Sequence, residues 1–193
     1  NAASLLPEVN KSIANKVTYD AAASTFTYSP STGVNGEVRG IKTTFNADLK
    51  EGYSVTDPIN NVALSVKATD AHYTGRQDGN RVVYPLKSND GWAVYTIQAS
   101  GIKEDILLTE SKEDTRTFSY ELALDNAMEA RIESDGGLGV YGNTLLSSEI
   151  SASSESDAAL LEKMRKNAEK NTLLFKIPAP IVLEADGQES EYA

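Results

Sequence analysis

The sequence predicts a mainly β protein, an antiparallel β-sandwich in one or two lobes with one amphipathic helix near residues 156–170. Three observations predict this class. Short alternating runs rich in Val, Ile, Thr, Tyr and Phe fill most of the chain, separated by Gly, Asn, Asp and Pro. About eleven such runs follow one another at spacings of roughly 8–12 residues, which is typical of a sandwich or barrel. Only one segment has helical periodicity instead.

The strands and turns can be followed along the chain from Ser24–Pro30, where aromatic and hydroxyl side chains alternate. Asn35-Gly36 supplies the positive φ angles that a tight hairpin needs. Asp57-Pro58 marks a break, and Asp78-Gly79 is a second strong turn signal. The run "GWAVYTIQAS" then predicts a long strand, and further runs continue the series to the hairpin "EARIESDGGLGVYGN". From this alternation we predict the following core residues: Phe26, Tyr28, Phe45, Val83, Tyr95, Ile97, Ile106, Phe118, Tyr120, Leu122 and Phe175.

The predicted helix begins with Ser156 as N-cap and Asp157 in its first turn. A narrow apolar stripe should dock it on the sheet, formed by Leu160, Leu161, Met164 and Ala168. A basic cluster in its second half suits the negative end of the helix dipole, and local Glu residues should balance it in solvent. Those basic residues are Lys163, Arg165, Lys166 and Lys170.

Composition removes several classes of function. The chain has 193 residues and a net charge of −10, so we expect no nucleic-acid partner and no membrane partner. There is no cysteine, which excludes disulfides, zinc-thiolate sites and thiol catalysis. The one histidine, His72, stands in a turn-rich segment without any recognised catalytic motif beside it. We therefore predict no catalytic residue, no metal site and no cofactor, with calcium as the one ion that turns such as "QDGN", "SNDG" and "SDGG" would suit.

One charged triplet, Lys103-Glu104-Asp105, interrupts an otherwise apolar strand and raises the question of chemistry. Alternation places Glu104 on one face with Ile102 and Ile106, where an unpaired carboxylate is costly. Three interpretations stay open. Glu104 pairs with Arg, Lys or backbone N–H groups; a β-bulge at Glu104-Asp105 turns the acids outward; or Glu104 promotes a Lys–Asn isopeptide crosslink, as in some bacterial surface sandwiches. We favour a structural role for the triplet.

The chain resembles a β-rich module of large secreted surface proteins, mostly uncharacterised, from bacteria of the candidate phyla radiation. The resemblance covers roughly residues 19–187 and lies in "GNRVVYPL", "AVYTIQASGIKEDILL", "FSYELAL", "EARIESDGGLGVYG" and "LLFKIPAPIV", in that order. A more distant likeness is to a "YP…KEDI.L…IPAP" module that precedes repeat regions in other bacterial surface proteins. The resemblance implies a β-rich fold and an extracellular or cell-surface location, and it carries no catalytic residue.

The expected organisation is an N-terminal extension or linker at 1–16, a single sandwich domain at 17–187 with candidate sub-lobes 17–86 and 92–187, and a tail at 188–193. Both ends look clipped, so we expect a fragment of a longer chain. The predicted function is a non-catalytic stalk, spacer or adhesion unit of a bacterial surface protein. The alternative is a carboxylate-dependent glycan hydrolase, which needs two acids facing each other across a cleft.

The expected partners are other domains of the same surface protein and a host-surface or cell-envelope ligand. Binding would use loop-end residues such as His72, Tyr73, Arg76 and Trp92, although a structural role suits Trp92 better. The isolated chain should be a monomer, because its sheet edges carry blocking features. Those features are Pro178 and Pro180, Asp57-Pro58, and the charged run "SKEDTR".

Overall fold

The computed structural model describes residues 5–38, 40–68, 74–109 and 116–190, and the chain forms two compact units. The first unit comprises Asn1–Thr56 and Leu64–Ala123, and the second comprises Asp57–Ala63 and Leu124–Ala193. The predicted mainly β class is confirmed, with three antiparallel sheets.

Thirteen strands are present in the described residues, two more than the sequence indicated. They are β1 Val17–Asp20, β2 Thr25–Tyr28, β3 Lys42–Asn46, β4 Tyr53–Asp57, β5 Val62–Ala68, β6 Arg76–Asp78, β7 Arg81–Pro85, β8 Gly91–Gln98, β9 Gly101–Leu108, β10 Tyr120–Ala123, β11 Glu129–Ile132, β12 Leu138–Gly142 and β13 Thr172–Ile177. The helices are α1 Lys11–Ala14 and α2 Glu155–Asn167, and 3₁₀ turns lie at Leu49–Glu51 and Thr144–Leu146.

The first unit is a sandwich of two sheets. One sheet has the order β1-β2-β3-β4-β5-β10, and the other has the order β6-β7-β8-β9. Apolar side chains from both sheets form one buried cluster between them. Phe45 of β3 packs against Tyr95 of β8 with ring centroids 5.3 Å apart, and Tyr53 of β4 stacks on Phe45 at 5.0 Å. Buried aromatic rings contribute large apolar surfaces, so these contacts help to hold the two sheets together.

Much of the predicted core is confirmed: Phe26, Tyr28, Phe45, Tyr95 and Ile97 are buried, and Ile106 and Phe118 pack against the same cluster while partly exposed. The prediction for Val83 was wrong, because β7 alternates in the opposite phase. Val82 is paired directly with Tyr95, which places Val82, Tyr84 and Leu86 on the core side. Tyr120 was also misplaced and is 36% exposed. Leu122 and Phe175 are half-buried.

The chain before β1 is tied into the first unit. Ile13 of α1 belongs to the core cluster, and the Asn10 side chain caps α1 by accepting the N–H groups of Ser12 and Ile13. The Asn10 backbone N–H donates to Oδ1 of buried Asn80 at 2.9 Å. Part of the segment expected to be an extension or linker therefore contributes to the core. The gap between the expected sub-lobes falls between β7 and β8, which are neighbours in one sheet. The proposed domain boundaries stay a prediction.

The second unit contains a three-stranded sheet in the order β11-β12-β13. Val140 lies opposite Phe175 and Tyr141 lies opposite Leu173, so Leu174 is an extra residue that makes a β-bulge in β13. A bulge on an edge strand hinders pairing with another chain. Pro178 and Pro180, which were expected to block strand pairing at this edge, lie beyond the end of β13. Within the strand itself the bulge is the feature that hinders pairing.

Helix α2 is confirmed, but its N-cap was predicted wrongly. The helix spans Glu155–Asn167, and its N-cap is Ser154, whose Oγ accepts the Asp157 N–H at 3.2 Å. A hydroxyl three residues before a free N–H has the geometry of an N-cap, which Ser156 does not have here.

The apolar stripe predicted to dock α2 is buried only in part. Leu160 and Met164 are 57% and 48% exposed, whereas Leu161 and Ala168 are half-buried. Polar contacts also hold the helix in the second unit. Arg165 donates to the carbonyls of Leu145 and Ile150 at 2.8 and 3.0 Å, and Asn143 Nδ2 donates to the Arg165 carbonyl at 2.8 Å.

Candidate functional site

The charged triplet lies in the middle of β9, at the edge of the four-stranded sheet. The register between β8 and β9 is unbroken from Gly91 opposite Leu108 to Gln98 opposite Gly101. The β-bulge proposed for Glu104-Asp105 is therefore absent from the described structure, and the simple alternation holds. Glu104 belongs to the core-facing side of β9 with Ile102 and Ile106, both of which pack against the buried cluster.

The Glu104 carboxylate is satisfied by a tyrosine. Its Oε1 accepts a hydrogen bond from the Tyr120 hydroxyl at 2.5 Å. Tyr120 is on β10, so this bond joins the edge strands of the two facing sheets. The sequence placed Tyr120 in the core, and the spacing between Glu104 and Tyr120 gives no signal that would have paired them. Among the described residues this bond replaces the expected pairing with Arg, Lys or backbone N–H groups.

Two further tyrosines surround the same carboxylate. Burial raises the pKa of Tyr95 well above its usual range, and the nearby negative charge of Glu104 adds to the shift. The pKa of Tyr53 is raised by the same two causes in the same order. Within the described part of the chain the Tyr95 hydroxyl makes no hydrogen bond of standard geometry, although it lies close to Glu104. The site is thus the carboxylate of Glu104 surrounded by the tyrosine side chains of residues 53, 95 and 120.

The other two members of the triplet lie on the opposite face of β9 and pair with each other. Lys103 Nζ is 2.7 Å from Asp105 Oδ1. A Lys–Asn crosslink promoted by Glu104 needs a lysine and an asparagine side chain in contact beside the carboxylate. The side chains that the described structure places around Glu104 are Tyr53, Tyr95 and Tyr120. The crosslink stays a hypothesis, and the geometry does not add to it.

The three turns considered for calcium each place their aspartate beside a cation. Asp78 lies 3.7 Å from Arg81, Asp90 lies 2.9 Å from Arg116, and Asp135 lies 2.8 Å from Lys176. Hydrogen bonds from Lys176 and the Gly137 N–H lower the pKa of Asp135. Throughout residues 5–38, 40–68, 74–109 and 116–190 no cluster of three or more His, Asp or Glu side chains is arranged to hold a metal ion. The absence of a cofactor stays a prediction.

Two of the four residues proposed for binding at loop ends lie in the described structure, and their role in binding stays a prediction. His72 and Tyr73 lie outside the described residues. The other two lie at the starts of strands: Arg76 is the first residue of β6, and Trp92 is the second residue of β8. Trp92 is paired with Pro85 on one side and Leu107 on the other, and 39% of it remains exposed.

Two shallow depressions lie against α2 in the second unit. One has a volume of about 250 Å³ and includes Asp157, Leu160 and Met164 in its lining. The other, about 490 Å³, includes Glu162 and Arg165. Each is lined by a single carboxylate, whereas hydrolysis of a glycan by paired acids needs two.

The described helices do not include one long and apolar enough to cross a lipid bilayer. Comparison with known proteins gave no match to a family model, to a curated protein or to a solved structure.

Proposed function

We propose that the chain is a non-catalytic extracellular module of a larger bacterial surface protein, acting as a spacer or adhesion unit. The resemblance to modules of secreted surface proteins motivates the location. The confirmed β-rich fold and the absence of cysteine agree with that class of protein.

The single observation that carries the non-catalytic part is the setting of Glu104. This carboxylate is the acid that the sequence singled out for chemistry, and it accepts the Tyr120 hydroxyl while facing a packed wall of aromatic rings. Its neighbour Asp105 points to the opposite face of the strand, where Lys103 neutralises it. Two carboxylates on opposite faces of one sheet cannot flank the same glycosidic bond.

Location can be tested on intact cells of the producing bacterium. Brief trypsin treatment of whole cells should release peptides of this chain, because an extracellular module is open to protease. Peptides that appear only after lysis would contradict the surface location.

The hydrolase alternative is tested with the purified chain on a panel of bacterial and host glycans, with release of reducing ends as the readout. We expect no turnover, and we expect the Glu104→Gln variant to behave like the wild type. Turnover that Glu104→Gln abolishes would make the chain an enzyme and would refute the proposal.

A further inference from the structure

Among the described residues β9 is an edge strand, and it is as long as β8, with which it shares the greatest length of any strand. It has eight residues, contains neither a proline nor a bulge, and has β8 as its strand partner in the described structure. The outward backbone groups of such a strand are a template for pairing with another strand. By contrast, β6 at the other edge of the same sheet has three residues, and β13 is interrupted by its bulge.

The sequence of β9 is self-complementary about its central glutamate. In an antiparallel pair of two copies related by a two-fold axis at Glu104, Lys103 lies opposite Asp105 of the second copy. On the core-facing side, Ile102 lies opposite Ile106 of the second copy. Opposite charges and apolar side chains that face each other directly across two strands stabilise the pair. Both pairs occur twice because of the symmetry.

One position in this arrangement is unfavourable. Glu104 lies opposite Glu104 of the second copy, and like charges directly opposite each other are destabilising. The groups that face Glu104 from the neighbouring strands are the hydroxyls of Tyr53, Tyr95 and Tyr120, none of which is a cation to offset the repulsion. Lys103 and Asp105 lie on the other face and already pair within one copy.

We propose that the edge of β9 is a self-pairing surface for a second copy of this chain, in antiparallel register about Glu104. The charge of Glu104 keeps this pairing weak, so the isolated protein is a monomer at micromolar concentration and associates where copies are crowded. The inference does not depend on the extracellular location.

The test removes the charge of Glu104 and leaves the shape of the side chain. Glu104→Gln keeps an oxygen that accepts from Tyr120, and we expect dimers with an affinity at least about tenfold above that of the wild type. The measurements are molar mass by light scattering over a concentration series and amide hydrogen exchange. Dimerisation should protect amides of β9 and leave the amides of β6 and β13 unchanged.

Two variants built on Glu104→Gln test the register. Adding Lys103→Glu places acids opposite Asp105 of the second copy, so it should return the protein to monomer. Adding Lys103→Asp together with Asp105→Lys swaps the charges, keeps the complementary pairs and should restore the dimer. Glu51→Gln, at the exposed end of a 3₁₀ turn, is the control for losing one carboxylate and should stay monomeric.

Folding of each variant is checked by far-ultraviolet circular dichroism. A folded Glu104→Gln variant that stays monomeric up to millimolar concentration would overturn the proposal. So would a dimer that the Lys103→Glu change leaves intact, because its interface would lie elsewhere. If Glu104→Gln does not fold, the wild type decides: protection of β9 amides that rises with protein concentration supports the proposal, and protection independent of concentration refutes it.

Discussion

Replacing Arg116 with Met should destabilise the first unit much more than replacing Asp90 with Asn. The two side chains form an ion pair beside the turn between β7 and β8, with guanidinium–carboxylate distances of 2.9 and 3.2 Å. The Asp90 side chain is 7% exposed, whereas the Arg116 side chain is 24% exposed. After loss of Arg116 the carboxylate stays buried without its guanidinium, whereas after loss of the Asp90 charge the guanidinium can turn toward water.

The magnitudes follow from this difference in burial. Removing one partner of a buried pair and leaving the other charged costs about 3–5 kcal/mol, which is the expectation for Arg116→Met. Asp90→Asn keeps an acceptor for the guanidinium and leaves charged the less buried of the two partners, so we expect a loss of stability of about 1–2 kcal/mol. With a urea slope of about 2 kcal/mol/M, the unfolding midpoint falls by about 1.5–2.5 M for the first change and about 0.5–1 M for the second.

Urea unfolding followed by tryptophan fluorescence measures both changes. Trp92 is the one tryptophan of the chain and lies two residues after Asp90, so its emission reports on the first unit. Arg76→Met is the matched control, because Arg76 is exposed and its loss should shift stability by less than about 0.5 kcal/mol. If Asp90→Asn lowered the free energy of unfolding as much as Arg116→Met, or more, burial of the remaining charge would not determine the loss of stability.

Three further predictions concern the core, the helix and alkaline pH. Phe45→Ala should cost about 3–5 kcal/mol by urea unfolding, because the ring is fully buried between two tyrosines, and a loss under 1 kcal/mol would contradict the packing. Ser154→Ala removes the N-cap of α2 and should cost about 1 kcal/mol, seen as lost helical ellipticity, with Ser156→Ala as the near-neutral control. Burial raises the folded-state pKa of Tyr53, Tyr84 and Tyr95 above the value of 10.0 that they have when unfolded. Their contribution to stability is therefore present below pH 10.0 and is lost as the pH rises beyond it, because the unfolded chain then loses these protons first. In an absorbance titration at alkaline pH these phenols should ionise together with unfolding, and early ionisation of all nine tyrosines without unfolding would contradict their burial.

The sequence predicts the class of fold because strand periodicity and turn residues are local signals. Asp78-Gly79 is correctly read as a turn, and Tyr95 and Ile97 of β8 are correctly placed in the core, although Val94 and Thr96 on the opposite face are buried too. The phase of β7 is not local: Val82 and Val83 are equally apolar, and the pairing of Val82 with Tyr95 decides which of them faces the core. The prediction of the N-cap of α2 was wrong for a similar reason. Ser153, Ser154 and Ser156 are chemically alike, and only the backbone geometry distinguishes them.

The setting of Glu104 could be predicted only in part. Alternation correctly places Glu104 on the apolar face and separates it from Lys103 and Asp105. Its partner Tyr120 belongs to the other sheet of the sandwich, and contacts between sheets depend on how strands from distant parts of the chain are arranged. Nothing in a single sequence encodes that arrangement in a readable way.

The place of β10 in the six-stranded sheet has a consequence for the order of folding. β10 pairs with β5, yet the whole of the four-stranded sheet lies between them in the chain. During synthesis the backbone groups on one edge of β5 therefore stay unpaired until β6 to β9 and then β10 have left the ribosome. Closing so long a loop before its contacts form is slow, and the exposed strand is open to mispairing in that interval. We expect the pairing of β10 with β5 to limit the rate at which the first unit refolds. A chain truncated before Tyr120 should aggregate rather than form a smaller stable sandwich.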